Sequence, residues 1–197
     1  MCRPPVSPSP RRPSTSAALV AVTAGIVWAT VMPAAAAGKF TLTSANLRDG
    51  GTVETNQVFD RANCRGANRS PQLSWSNPPE GTRGFAVTMF DPDSPGRGWW
   101  HWAVAGLPAN VHALPENASA SGHVAKLGAV EARNDFDVDG YGGPCPPPGK
   151  PHRYVVTVYA LNVENPRLAQ GRPAAMFERE IRASTLGTAT ITVTYGR

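Results

Sequence analysis

The sequence predicts a mainly β fold, a sandwich of antiparallel sheets with one helix late in the chain. Three observations carry this. Short apolar–polar alternations recur with Gly, Pro and Asn turn signals between them, the pattern of half-buried strands. The period switches once, near the C-terminus, from 2 to about 3.6 residues. Residues 140–154 then form a Pro/Gly run that leads straight into the strongest strand pattern, residues 154–161.

Taken in order, Phe40-Thr-Leu-Thr43 alternates and Gly50-Gly51 supplies a turn. Residues 56–69 have no clean period and read as irregular. Pro71-Gln-Leu-Ser-Trp-Ser76 is a short strand, closed by the turn Asn77-Pro-Pro-Glu-Gly81. In residues 84–90, Phe85, Val87 and Met89 share one face. Residues 102–107 form the next strand, stopped at Pro108, and residues 127–132 a weaker one. Pro173 suits the first position of a helix in which Phe177 and Ile181 lie on one face, with Gly187 as its expected stop. Ala189, Ile191, Val193 and Tyr195 alternate with threonines, so a final strand should bury the former and expose the latter.

Residues 1–37 differ from the rest. Arg3, Arg11 and Arg12 precede an apolar run from Ala17 to Val31, followed by Pro33 and four alanines. A basic start, an apolar stretch and small residues before a cleavage point describe a secretory signal peptide. The apolar run, about 15 residues, is short for a spanning helix; an uncleaved N-terminal anchor is the alternative. The domain is then residues 38–197, expected outside the cytoplasm as a secreted or periplasmic protein. The whole chain has 19 basic and 14 acidic residues. Without the leading arginines the balance is about +2, too mild and too evenly spread for a nucleic-acid partner. Cys64 and Cys145 remain after the leader, an even pair in an oxidising compartment, and are expected to form a disulfide; two unpaired thiols are the alternative.

Two stretches carry chemistry. Gly140-Tyr-Gly-Gly-Pro-Cys-Pro-Pro-Pro-Gly149 can be neither helix nor central strand, because its prolines lack amide hydrogens. It is a stiff loop, bent where Gly142, Gly143 and Gly149 take positive φ, and it presents His152 and Arg153 at the start of a strand. The second stretch is Asp91-Pro-Asp-Ser-Pro-Gly-Arg-Gly-Trp-Trp-His-Trp102. Asp91 sits at a strand tip and its buried carboxylate needs a partner, either a histidine or Arg153. His101 stands among tryptophans, a setting that suits a structural histidine as well as a ligand-binding one.

Asp-Pro-Asp-Ser-Pro, Trp-Trp-His-Trp, the Gly-Tyr-Gly-Gly-Pro-Cys-Pro-Pro-Pro-Gly loop and Pro-His-Arg-Tyr, in this order, resemble the phosphatidylethanolamine-binding protein family, in its bacterial Raf-kinase-inhibitor-like branch. The resemblance runs from Phe40 to Arg197. It implies two antiparallel sheets, one C-terminal helix, short helical segments, and a small pocket for phosphate-like anions or phospholipid headgroups. The family's pocket residues carry over onto Asp91, His101, Gly143, Pro144, His152 and Tyr154, with Ser94 and Trp99 beside them. It also implies a tight turn with a cis Ser94–Pro95 bond. One departure is Ser184, where relatives often place a histidine before the end of the helix.

Two imidazoles, glycine amides and a phenol are donors suited to phosphate oxygens. The expected function is therefore non-catalytic binding of a phosphate-type anion or headgroup, with no cofactor and with peripheral membrane contact open to it. The alternatives are an interaction protein that inhibits a protease or engages a host protein, and an enzyme in which Asp91, His101 and His152 act on a phosphoester or hold a metal. Against the enzyme, no close-spaced ligand motif and no nucleophile elbow are present.

Overall fold

The computed structural model describes Met1, residues 38–166 and residues 168–197. The chain divides into two units, Met1–Ala36 and Ala37–Arg197, and the second carries every element below. The signal peptide expected over residues 1–37 lies outside the described residues, apart from Met1.

Among the described residues eight strands and two α-helices follow one another: β1 (Thr41–Thr43), β2 (Leu73–Ser76), β3 (Gly84–Asp91), β4 (Trp99–Pro108), β5 (Ala113–Leu114), α1 (His123–Lys126), β6 (Val130–Glu131), β7 (His152–Leu161), α2 (Ala174–Ala183) and β8 (Thr185–Tyr195). They form a three-stranded sheet, β1-β2-β5, and a five-stranded sheet, β6-β4-β3-β7-β8. All their pairings are antiparallel.

The alternation in β3 explains how the larger sheet is covered. Phe85, Val87 and Met89 join Leu73, Trp75, Leu107, Leu114 and Val156 in the core, while Ala86 points to the opposite face. There it meets Ala103, Ala105, Leu161 and, from α2, Phe177 and Ile181. Small alanines on that face let the helix sit close, so β3 is buried on both sides rather than alternately exposed.

β8 keeps the expected pattern in part: Ala189, Ile191 and Val193 are buried, while Tyr195 is half-buried, as are Thr192 and Thr194. The stop at Gly187 is corrected. The helix ends at Ala183, Thr185 Oγ1 donates to the Ile181 carbonyl, and Gly187 is already strand residue, paired with Ala160. Pro173 caps α2 rather than opening it, and its non-helical ψ of 137° places it just outside the first turn.

The expected disulfide is present: Cys64 and Cys145 are bonded, with their Cα atoms 5.9 Å apart. The expected cis Ser94–Pro95 bond is corrected, since no described peptide bond is cis. The β3–β4 turn is bent by other means. Asp91 Oδ1 accepts from the amides of Asp93 and Ser94 at 2.8 and 3.1 Å, and Gly96 and Gly98 take φ of 81° and 79°.

Candidate functional site

Antiparallel pairing brings the end of β3, the start of β4 and the start of β7 to one end of the larger sheet. Asp91 pairs with Trp99, and Phe90 pairs with both Trp100 and Val155. A cavity of about 230 Å³ opens there, lined by Asp91, Ser94, Pro95, Trp99, His101, Phe136, Cys145, Pro146, Pro147, His152 and Tyr154. Six of the eight candidate residues are thus brought together.

Gly143 and Pro144 are not among the lining residues, and local geometry explains why. The Gly143 amide donates to Asn68 Oδ1 at 2.8 Å, and the Gly142 amide donates to the His101 carbonyl at 2.9 Å. Neither amide is left for an anion. Neither glycine has positive φ, which corrects that expectation; only Gly149 of the three does, at 140°. Gly143 is needed for close approach instead, because a Cβ there would lie 2.1 Å from the Gln57 carbonyl oxygen. Pro144 turns inward too, its carbonyl accepting from the Phe59 amide at 3.2 Å. The first amide after the pair, that of Cys145, has no hydrogen-bond partner among the described residues, and Cys145 lines the cavity.

A β-bulge aims His101. Met89 pairs with Trp102 and Phe90 with Trp100, so His101 is the extra residue on β4. In a regular strand Trp100 and Trp102 would face the same way. Here Trp100 packs with the α2 side, while Trp102 belongs to the core between the sheets. The bulge lets His101 turn into the same interior, with its ring edge-on to Tyr154 (centroids 5.1 Å) and Phe136 (5.4 Å).

The two imidazoles have different roles. His101 is 2% exposed, and its Nδ1 lies 2.6 Å from the Gly142 carbonyl oxygen, which can only accept. Nδ1 therefore carries the proton. Burial pushes this imidazole down to about 4, against weaker opposing pulls from the Gly142 carbonyl and from the Asp91 charge. His101 is neutral at pH 7, and the expectation that both imidazoles donate is corrected for this one. His152 instead meets a carboxylate, its Nδ1 standing 2.7 Å from Asp91 Oδ2. Asp91, 3% exposed, is fully occupied by that histidine and by the turn amides.

Arg153 pairs with Asp93 rather than Asp91. Its guanidinium donates twice to Asp93, which holds that carboxyl well below the usual carboxylate range. The Arg153 amide adds a third bond at 2.8 Å and clips β7 to the β3–β4 turn. The far end of the proline loop is held by Arg197, whose Nε donates to the Pro146 carbonyl at 2.6 Å, while the Gly149 amide donates to the Arg197 carbonyl at 3.0 Å.

Four buried side-chain atoms lack a hydrogen-bond partner among the described residues, and two of them, Trp99 Nε1 and Tyr154 OH, belong to the cavity lining. Burial pushes the Tyr154 phenol up, with the Asp91 charge adding to it, so it is present as O–H. Unpaired polar groups inside a fold carry a desolvation cost of about 1–3 kcal/mol each, which a ligand would relieve.

Sequence reasoning missed Phe136 and the wall formed by Pro95, Cys145, Pro146 and Pro147. Phe136 sits in an aperiodic loop fixed by buried Asn134, whose Oδ1 accepts from the Phe136 amide and whose Nδ2 donates to the Gly140 carbonyl. The only sequence signal was an aromatic residue among loop-forming Asn and Asp. No residue of α2 lines the cavity, so the Ser184 departure does not touch it. Asp91, His101 and His152 do not gather as a metal-holding set; no group of three or more His, Cys, Asp or Glu able to do so occurs among the described residues.

Comparison with known proteins agrees with this architecture. The family described as "Phosphatidylethanolamine-binding protein" matches residues 43–196. UPF0098 protein YbcL of Escherichia coli K12 is 44% identical over 164 residues, covering 82% of this chain and 90% of that protein. YbhB of the same organism is 39% identical over 155 residues, covering 78% and 98%. The crystal structure of E. coli YbcL, described as a new member of the mammalian PEBP family, superposes with a TM-score of 0.78 at 42% identity, covering 81% of this chain and 99% of that one. The chain belongs to the phosphatidylethanolamine-binding protein family.

Proposed function

We propose that this is an exported, non-catalytic binding protein that holds a phosphate-type anion or phospholipid headgroup in the cavity at the β3, β4 and β7 ends. The observation that carries the reading is the pair of buried donors without a partner among the described residues, Trp99 Nε1–H and Tyr154 O–H, in the wall that also contains His152. His152, oriented by Asp91 through Nδ1, turns its Nε2 toward the same site. The volume supports a headgroup rather than a whole lipid. At about 230 Å³ the cavity is below the roughly 300–1,000 Å³ of pockets for larger ligands, so acyl chains would remain outside, at a membrane surface.

The non-catalytic part of the reading rests on what the dyad lacks. Asp91 and His152 could serve as a general base, and Ser94 lines the same cavity, yet no hydrogen bond joins Ser94 to His152. Calorimetric titration of phosphate and phosphoethanolamine against wild type and Tyr154→Phe tests the site. Binding weakened in the variant supports it, and equal binding removes it. A phosphoesterase screen with turnover would overturn the non-catalytic reading. Export is tested by intact-mass analysis of the culture supernatant, where loss of a leader ending near Ala36 or Ala37 is expected. Full-length chain found only in membranes would contradict it.

A further inference from the structure

Resting on the anion-site reading above, we infer that His101 offers the cavity a lone pair at Nε2, so that the site selects oxyanions that carry their own hydrogen over fully ionised ones. The geometry leads there in three steps. The Nδ1 hydrogen is committed to the Gly142 carbonyl at 2.6 Å, a pairing braced by the Gly142 amide, which donates to the His101 carbonyl; ring flipping would take that Nδ1 hydrogen away from the Gly142 carbonyl oxygen. The bulge then turns the ring into the cavity wall with the side chain 2% exposed, and the hydrogen bond formed by the ring among the described residues is the one at Nδ1, with the Gly143 carbonyl also near. A neutral imidazole with one N–H accepts at its other nitrogen.

The surroundings keep the ring neutral. Phe136 and Tyr154 cover it, and the titratable or charged groups that face it are Asp91 at the end of β3, His152 and Tyr154 on β7, and Asp135 on the loop after β6. The Gly142 carbonyl, the Asp91 charge, the Gly143 carbonyl and the Asp135 charge favour a proton on His101, but burial outweighs them. The wall is thus mixed. Trp99 Nε1–H and Tyr154 O–H donate to oxygen lone pairs, and His101 Nε2 needs a donor in return. A phosphate monoanion supplies both through its P–OH. A sulfate dianion of nearly the same shape does not, and would set an oxygen lone pair against the Nε2 lone pair. His101 is in this sense a specificity-determining residue.

The same hydrogen could come from free phosphate, from a phosphomonoester, or from the ammonium of an aminoalkyl diester headgroup. The test titrates the full protein with inorganic phosphate, sulfate and glycerophosphoethanolamine at pH 6 and pH 8. Phosphate should bind roughly ten- to a hundredfold more tightly than sulfate at pH 6, the difference made by one hydrogen bond to an ionic group. That preference should shrink at pH 8, where the ligand has lost its proton. Glycerophosphoethanolamine binding that is equal at both pH values assigns the donor to the ammonium and supports a lipid source; its failure to bind beside tight phosphate supports the free phosphate. In His101→Phe the preference for phosphate over sulfate should disappear while Trp99, Tyr154 and His152 still bind oxyanion. Nitrogen NMR of wild type, which needs no variant, should show His101 Nε2 unprotonated. Equal affinity for phosphate and sulfate in wild type, or a protonated Nε2, overturns this inference and leaves the site standing. If none of the three ligands binds, the site itself is wrong.

Discussion

His152 and Asp91 stand 2.7 Å apart, Nδ1 to Oδ2, joining the first residue of β7 to the last residue of β3. The same carboxylate closes the β3–β4 turn through its other oxygen. One side chain thus shapes the turn and orients the imidazole, which couples the fold of this corner to its chemistry.

Removing that carboxylate should therefore cost stability as well as binding. Asp91→Ala leaves two turn amides and one imidazole without their acceptor, a loss of about 1–3 kcal/mol in urea denaturation. An unchanged midpoint would show that the turn closes without Asp91.

Gly143→Ala should be among the most damaging single-methyl changes. Its Cβ would stand 2.1 Å from the Gln57 carbonyl and 2.6 Å from the Phe59 amide nitrogen, both backbone atoms that cannot swing aside. Overpacking of this kind costs about 1–3 kcal/mol or more. Thermal unfolding should show a lowered midpoint; an unchanged one would refute the close approach.

Reduction of Cys64–Cys145 should destabilise the domain by about 4 kcal/mol in the chain-entropy account, given a sequence separation of 81 residues. It should also loosen Cys145 in the cavity wall and weaken ligand binding. Two free thiols in unfolded, unreduced protein would contradict the bond.

Stability should depend on pH through His101. Its folded value, about 4, lies below the ordinary 6.5, so below pH 6.5 the unfolded chain takes up a proton that the fold does not. The stability present above pH 6.5 is then lost as pH falls toward 4, by an amount on the order of 3 kcal/mol. His101→Phe should flatten this slope in denaturation curves collected between pH 4 and 7. A slope identical to wild type would show that His101 titrates normally.

The strands were legible because Phe85, Val87 and Met89 recur at every second position of β3, because apolar residues alternate with threonines late in β8, and because turn signals separate the strands. The site residues were legible as types in order, from Asp91 to Tyr154. Their roles were not. The bulge at His101 exists only in the pairing of β4 with β3, and residues 99–102 do not reveal which aromatic will be displaced. Gly142 and Gly143 read as positive-φ bends because a sequence shows missing side chains, not the neighbouring atoms that need the space. Phe136 enters from a loop without periodicity, positioned by side-chain bonds to Asn134. The helix stop at Gly187 failed because strand pairing with β7 claimed that glycine first.

The most direct test of the binding account is a phosphate titration of wild type beside His152→Ala, with Arg83→Ala as the control. Arg83 makes an exposed pair with Glu164 and lies at the opposite end of β3 from Asp91, so its loss should leave binding unchanged. His152→Ala removes the donor held by Asp91 and should weaken binding roughly 10- to 150-fold at pH 6. Equal affinity in wild type and His152→Ala would contradict the assignment of this cavity as the anion site.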